Sequence, residues 1–325
     1  MTPRVLVVGA DPTGFRHARN AAELGAVELY VHDPDTQLGE RVQRAGLLHF
    51  ETLPFALESR PDAVIVSGRD EARVETALAA LQAGAHVYLE SPGSATVEQV
   101  IALFEQAAQR DRVLMLGHAL RFHPALLHLL DRARAGDLGD LVALHATHAF
   151  ASTHEPSRDE PAPESPCLPL GDGLSSVVAE LDAILLLMPD VERVFASTSR
   201  SGLLPVDDDD CALVTLISAS GITATLRVDA LGRPPARSLE FVGTAASLRW
   251  ESHRGLSLYD VASRATTSTP LDVEVADAQR DALGHFFACL RGNQQPPVTA
   301  TEARRVYEIL GAARASAASG AVIFV

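Results

Sequence analysis

Apolar and polar positions along this chain follow two rhythms that change near residue 118. Before that point, short apolar runs occur at Val5–Val8, Val27–Val31, Ala63–Val66, Val87–Leu89 and Val113–Leu116. Between them lie Gly14–Leu24, Glu71–Ala83 and Val97–Arg110, where apolar residues recur three and four apart. The runs predict buried strands and the longer segments predict helices. Strands separated by helices of this length predict right-handed βαβ units and a parallel, doubly wound sheet covered on both faces.

The second rhythm is that of strands with few helices between them. A helix at Pro124–Ala135 and a turn at Gly136–Gly139 precede candidate strands at Leu141–Phe150, Arg193–Thr198, Ala212–Ser218, Ile222–Val228, Ser238–Val242 and Ser247–Glu251. Gly- and Asp-containing turns join several of them, which predicts a large, mostly antiparallel sheet with one helix-covered face. Helices are expected at Leu174–Leu187, Val275–Arg291 and Ala300–Ala318. The fold class is therefore α/β, with a Rossmann-type domain over residues 1–118 and a second α/β domain over 119–325. The last helix is placed against the first domain. The Pro- and charge-rich stretch Glu155–Pro169 reads as one long loop.

Composition narrows the function classes. The chain has 325 residues, 47% of them hydrophobic, enough for two cores. A net charge of -15 argues against nucleic acid or an anionic membrane as partner. The opening MTPRVLVVGAD runs straight into a strand-like segment instead of a secretory pattern. Cys167, Cys211 and Cys289 are odd in number and widely spaced, which suits a reduced cytoplasm. The sequence contains no lysine, so Schiff-base chemistry and any lysine acid or base are excluded.

The first strand leads into VVGADPTG, which places Gly9, Asp11 and Gly14 where a dinucleotide fingerprint has three glycines. Gly9 and Gly14 match. Asp11 stands at the close-approach position and brings a negative charge to where two phosphates would lie. Repulsion at about 4 Å costs roughly 1–4 kcal/mol, so NAD is a doubtful cofactor on this reading. Asp33, ending the second strand, is placed for a ribose 2′-hydroxyl and disfavours NADP. The competing reading makes both aspartates ordinary turn residues.

Several stretches in order resemble the Gfo/Idh/MocA family, the glucose–fructose oxidoreductase and inositol dehydrogenase group. They are ALAALQAGAHVYLESP, GHALRFHPALLHLL, AGDLGDLVAL, VDALGRPPARSLEFVGTAASLRWE and ALGHFFACLRGNQQPPVTATEARRVYEIL. The resemblance spans nearly the whole chain. It implies an NAD- or NADP-dependent oxidoreductase acting on a sugar, cyclitol or related polyhydroxylated compound, with Glu90 and Pro92 beside the cofactor. It also implies a homodimer or homotetramer built on the outer face of the second sheet, and a small polar ligand in an interdomain cleft.

The same resemblance exposes what is missing. The lysine of the family's Glu-Lys-Pro turn is Ser91 here. On the helix after the glycine-rich stretch, the aspartate falls on Ser175 or Ser176 and the histidine on Ala179. Hydride leaves a carbon only as its hydroxyl proton is removed, so these groups carry the chemistry. The expectation is a homologue without standard dehydrogenase activity, serving in ligand binding, structure or regulation. The alternative is an enzyme, redox or non-redox, with replacement residues. Ser91, His118 and Glu180 are the catalytic candidates, and Arg121, His123 and His154 the substrate candidates. No metal is expected: VDDDDC (Val206–Cys211) lacks the spacing of a calcium loop and reads as a solvated turn. His145 and His148, three apart on a strand, face opposite sides and cannot pair on a metal.

Overall fold

The computed structural model describes residues 3–25, 28–151, 173–204, 209–271, 273 and 275–325. The chain divides into two compact units. One comprises residues 1–118 with 279–304, the other residues 119–278 with 305–325. The sequence places the last helix, Ala300–Ala318, with the first unit; the segment that returns there is 279–304, while 305–325 belong to the second unit.

The first unit runs β1 (Arg4–Val8), α1 (Pro12–Glu23), β2 (Glu28–His32), α2 (Thr36–Arg44), β3 (Leu48–Phe50), α3 (Leu53–Glu58), β4 (Ala63–Val66), α4 (Asp70–Gln82), β5 (His86–Leu89), α5 (Val97–Gln109) and β6 (Leu114–Leu116). Its six strands are all parallel, in the order β3-β2-β1-β4-β5-β6. Chain order reverses between β1 and β4, the switch point at which ligands bind such sheets. The central strands read VLVV and AVIV because helices cover both faces, and Val5, Leu6, Val7, Ala63, Val64 and Ile65 are fully buried. Thr96 and Gln99 close a capping box at the start of α5.

The second unit opens with a 3₁₀ turn (Ala119–Phe122) and α6 (Pro124–Arg134), followed by β7 (Leu141–Ala151). A second 3₁₀ turn (Ser175–Val177) precedes α7 (Val178–Leu185), so this helix starts four residues later than its apolar pattern suggests. Then come β8 (Val191–Ser199), β9 (Cys211–Ser218), β10 (Thr223–Asp229), β11 (Leu231–Gly243), β12 (Ala246–Glu251), β13 (Gly255–Asp260) and β14 (Ala265–Thr269). The chain ends with α8 (Val275–Leu290), α9 (Ala300–Ser319) and β15 (Ile323–Phe324).

The sheet order is β14-β13-β12-β11-β7-β10-β9-β8-β15, antiparallel throughout except for the β7/β10 pair. Burial alternates along β9 and β10 because one face alone is packed. Leu144, Ala146, Leu216, Leu226, Leu239, Phe241, Leu248 and Trp250 form that face's core. Strand β14 was not predicted: its ATTST sequence is exposed at every position on a sheet edge, so it carries no alternation.

The end of VDDDDC differs from the expected solvated turn. Asp210 is buried, and its carboxylate accepts hydrogen bonds from the amide and hydroxyl of Ser201. Among the described residues, no helix is long and apolar enough to cross a membrane.

Candidate functional site

The loops at the carboxyl ends of β1, β4 and β5 carry the first group of candidate residues. Gly9 has φ +103°, and a Cβ there would lie 2.4 Å from the Gly68 nitrogen. A Cβ on Gly14 would lie 1.9 Å from the Gly9 carbonyl oxygen. Both positions therefore admit only glycine, as the fingerprint requires. Asp11 is the N-cap of α1: its Oδ1 accepts the Gly14 N–H at 2.7 Å and the Ser67 hydroxyl at 3.4 Å. Asp33 is buried, and each of its oxygens already accepts a backbone N–H, from Ala10 at 2.7 Å and Asp35 at 2.9 Å. A dinucleotide pyrophosphate takes the amides at the start of such a helix. Here Pro12 has none, and Gly14 gives its own to Asp11.

The turn after β5 holds Glu90, Ser91 and Pro92. Glu90 Oε1 lies 2.7 Å from Nε2 of the fully buried His17. Burial raises the Glu90 pKa, but the His17 hydrogen bond and the charges of His17, Arg73 and His118 outweigh it and hold the carboxyl below its ordinary range. His118 is itself buried. The structure thus draws His118 and Glu90 into one electrostatic group, together with His17, which the sequence reading did not single out. The His17 ring also meets Tyr88 edge-on at 5.4 Å.

Two further residues missed in the sequence shape this turn. Asp70, at the start of α4, accepts the Gly93 and Ser94 amides with its two oxygens. Arg73, one turn along, donates to Asp70 at 3.0 Å, to the Gly68 carbonyl at 3.0 Å and to the Ser91 carbonyl at 2.6 Å. The pair ties the loop after β4 to the turn after β5. Their i,i+3 spacing on α4 looks like a surface ion pair in the sequence, and nothing local reveals the reach to residues 91–94. The Ser91 hydroxyl makes no hydrogen bond among the described residues, which leaves it available to a ligand.

In the second unit, candidates fall into buried pairs. Arg121 forms a two-pronged bond to Asp182, with Nε and one Nη each 2.8 Å from a carboxylate oxygen; Asp182 is 1% exposed. Its guanidinium is thus held by α7. His123 is fully buried as the N-cap of α6, accepting the Ala125 N–H at Nδ1 and lying 3.2 Å from the Val273 carbonyl at Nε2. Its ring packs 4.5 Å from Trp250. Both ring nitrogens have structural partners. Ser175 accepts from Arg314 at 3.2 Å, and Ala179 is half-buried on α7. His154 lies outside the described residues.

Glu180 is the third buried pair member and belongs to a cluster the sequence did not suggest. It is 1% exposed, and Arg237 Nε and Nη2 both approach its Oε1 at 2.6 Å. His148 sits opposite Arg237 in the β7/β11 register, with Nδ1 3.6 Å from the same oxygen. His145 lies on the other face and bonds Thr225 Oγ1 at 2.7 Å, so the two histidines diverge as the strand period requires.

Burial pushes His148 down from 6.5 to about 4, with Arg237 adding to the shift and Glu180 offsetting part of it. Because the folded pKa is the lower one, the unfolded chain binds the proton first as pH falls. Stability from this group is present above pH 6.5 and is lost between there and about pH 4. The loss amounts to about 1–3 kcal/mol. Urea unfolding at pH 7 and pH 5 checks it: His148→Gln flattens this pH dependence, and an unchanged slope in the variant rules the assignment out.

Comparison with known proteins agrees with this architecture. Residues 3–118 match the oxidoreductase family with an NAD-binding Rossmann fold, and residues 127–249 match the Gfo/Idh/MocA C-terminal domain. Inositol 2-dehydrogenase 1 of Saccharopolyspora erythraea is 29% identical over 237 residues, covering 70% of this chain and 67% of that protein. The solved myo-inositol 2-dehydrogenase of Lactobacillus plantarum superimposes with a TM-score of 0.81 at 17% identity, covering all of both chains. A levoglucosan dehydrogenase solved with NADH gives 0.82 at 18% identity, covering 99% of this chain and 98% of its own. At such identities the structural likeness establishes the fold, and the matched family domains establish the lineage: this chain belongs to the Gfo/Idh/MocA oxidoreductase family.

Proposed function

We propose that this chain has left the dehydrogenase chemistry of its family and binds a small polyhydroxylated molecule without transferring hydride, in a ligand-sensing, structural or regulatory role. The observation that carries this reading is the state of its acid–base groups. Ser91 stands where the family chemistry implies lysine, and a serine hydroxyl does not act unaided as a base near neutral pH. On α7, Ser175, Ser176 and Ala179 stand where the resemblance implies aspartate and histidine. The carboxylates that remain there, Glu180 and Asp182, are buried against Arg237 and Arg121. Each of those two pairs stabilises charge inside the protein and leaves none poised to accept a substrate proton. Ligand binding is supported by the Ser91 hydroxyl, which makes no hydrogen bond among the described residues.

The test is direct. Purified protein is incubated with NAD⁺ or NADP⁺ and myo-inositol, glucose or levoglucosan, and reduced cofactor is followed by absorbance between pH 7 and pH 10. No formation above the protein-free blank is expected. Sustained turnover with any of these pairs would sink the reading.

A further inference from the structure

The turn between β1 and α1 is closed by the protein's own carboxylate. Of the five N–H groups between Gly9 and Gly14, three are already bonded internally: Gly9 to the His32 carbonyl, Ala10 to Asp33, and Gly14 to Asp11. The amides of Asp11 and Thr13 are the remainder, and Pro12 has none to give. The N-terminus of a helix attracts an anion because its first amides lack acceptors and its dipole is positive there. In α1 an anion is already in place, tethered one residue before the helix. The Ser67 hydroxyl, from the loop after β4, points to the same oxygen, Asp11 Oδ1, from across the switch point. Asp33 holds the Ala10 amide, so the loop is secured from both sides.

We propose that Asp11 is a built-in occupant of the phosphate position, and that it keeps this loop capped and ordered without any dinucleotide. This goes beyond the absence of turnover, because it concerns cofactor binding itself. A pyrophosphate has two routes in, and both are unfavourable. If the carboxylate stays, it faces two like-charged phosphates in a loop too tight to separate them. If it swings away, α1 loses its cap and the Gly14 amide must be shared anew. The less costly route sets the penalty, so NAD(H) or NADP(H) binding is weakened by roughly 2-fold to 30-fold relative to a glycine at this position. The same carboxylate does for the free protein what a bound phosphate does elsewhere: it neutralises the helix terminus.

Two variants separate charge from cap. Asp11→Gly removes both and restores the close-approach residue; Asp11→Ser removes the charge and keeps a capping oxygen. Titration calorimetry with NADH and NADPH is run on the wild type and both variants, alongside thermal unfolding with and without cofactor. The wild type is expected to bind cofactor no tighter than the millimolar range, with an unfolding temperature that cofactor barely moves. Asp11→Gly is expected to unfold at lower temperature alone, to bind roughly 2-fold to 30-fold more tightly, and to regain stability with cofactor. Asp11→Ser is expected to hold the wild-type unfolding temperature and still gain affinity. Should Asp11→Gly not fold, Asp11→Ser decides. Micromolar binding by the wild type overturns the proposal, and so does a folded Asp11→Ser or Asp11→Gly protein that binds no better than wild type. Micromolar wild-type binding without turnover would overturn this proposal and leave the proposed function standing.

Discussion

Replacing Arg237 with alanine is expected to destabilise the second unit by about 3–5 kcal/mol. Glu180 is 1% exposed, and Arg237 supplies the two N–H groups that meet its Oε1 at 2.6 Å. Without the guanidinium the carboxylate stays in the interior with only the His148 ring, 3.6 Å away, beside it among the described residues. The cost is the desolvation of that lone charge, since the net worth of an intact buried pair is small. The double variant Arg237→Met/Glu180→Gln should therefore recover most of the loss. Urea unfolding of the three proteins at pH 7 checks this. A single variant as stable as wild type would show that the pair does not carry the packing of α7 on β7 and β11.

The second large effect belongs to Asp70. Its two oxygens accept the Gly93 and Ser94 amides and hold Arg73, which in turn grips the Gly68 and Ser91 carbonyls. Asp70→Ala removes three charge-assisted hydrogen bonds from a group 8% exposed and should cost about 2–4 kcal/mol. The damage is local first. Hydrogen exchange at Gly93 and Ser94 should accelerate well before global unfolding, because the turn after β5 loses its anchor. Asp70→Asn keeps one acceptor oxygen and should lose less. Exchange rates at residues 93 and 94 that match wild type in Asp70→Ala would remove this anchor from the account of the site.

The candidate site was legible in the sequence where a residue acts through its own backbone neighbourhood. Gly9 and Gly14 needed only the strand–turn–helix context, and the tight approaches to Gly68 and to the Gly9 carbonyl follow from it. Asp11 announced itself by breaking that pattern. Asp33 is at the predicted strand end, yet its oxygens serve the loop: one holds the Ala10 amide, a bond spanning 23 residues. The substrate candidates Arg121 and His123 share the same history. Their positions suggested a ligand, whereas the folded chain gives Arg121 a carboxylate 61 residues away and His123 a carbonyl 150 residues away. A polar side chain near a site in sequence advertises hydrogen-bonding capacity but not the partner that takes it.

The short elements show the same division. α2, β3, α3, β13 and β14 escaped the sequence reading because runs of three to nine residues give little periodicity to count. Asp210 was read as solvated because it ends a run of four aspartates, yet the fold buries it against Ser201. Charge runs are solvated on average; a single member can still be taken into a turn that needs an acceptor.

By itself the sequence determined the class of fold, the parallel first sheet, the family and the absence of any lysine. These are properties of residue identity and of local period, and every fold consistent with the chain must honour them. Tertiary structure alone decided the rest: that residues 279–304 return to the first unit, that Asp11 turns onto Gly14, that Asp70 and Arg73 brace the Ser91 turn, and that His148, Glu180 and Arg237 meet. Burial sets the worth of each such group, and burial is fixed by neighbours tens of residues away. The same carboxylate is a solvated turn residue, a helix cap or a buried ion depending on what the fold brings beside it.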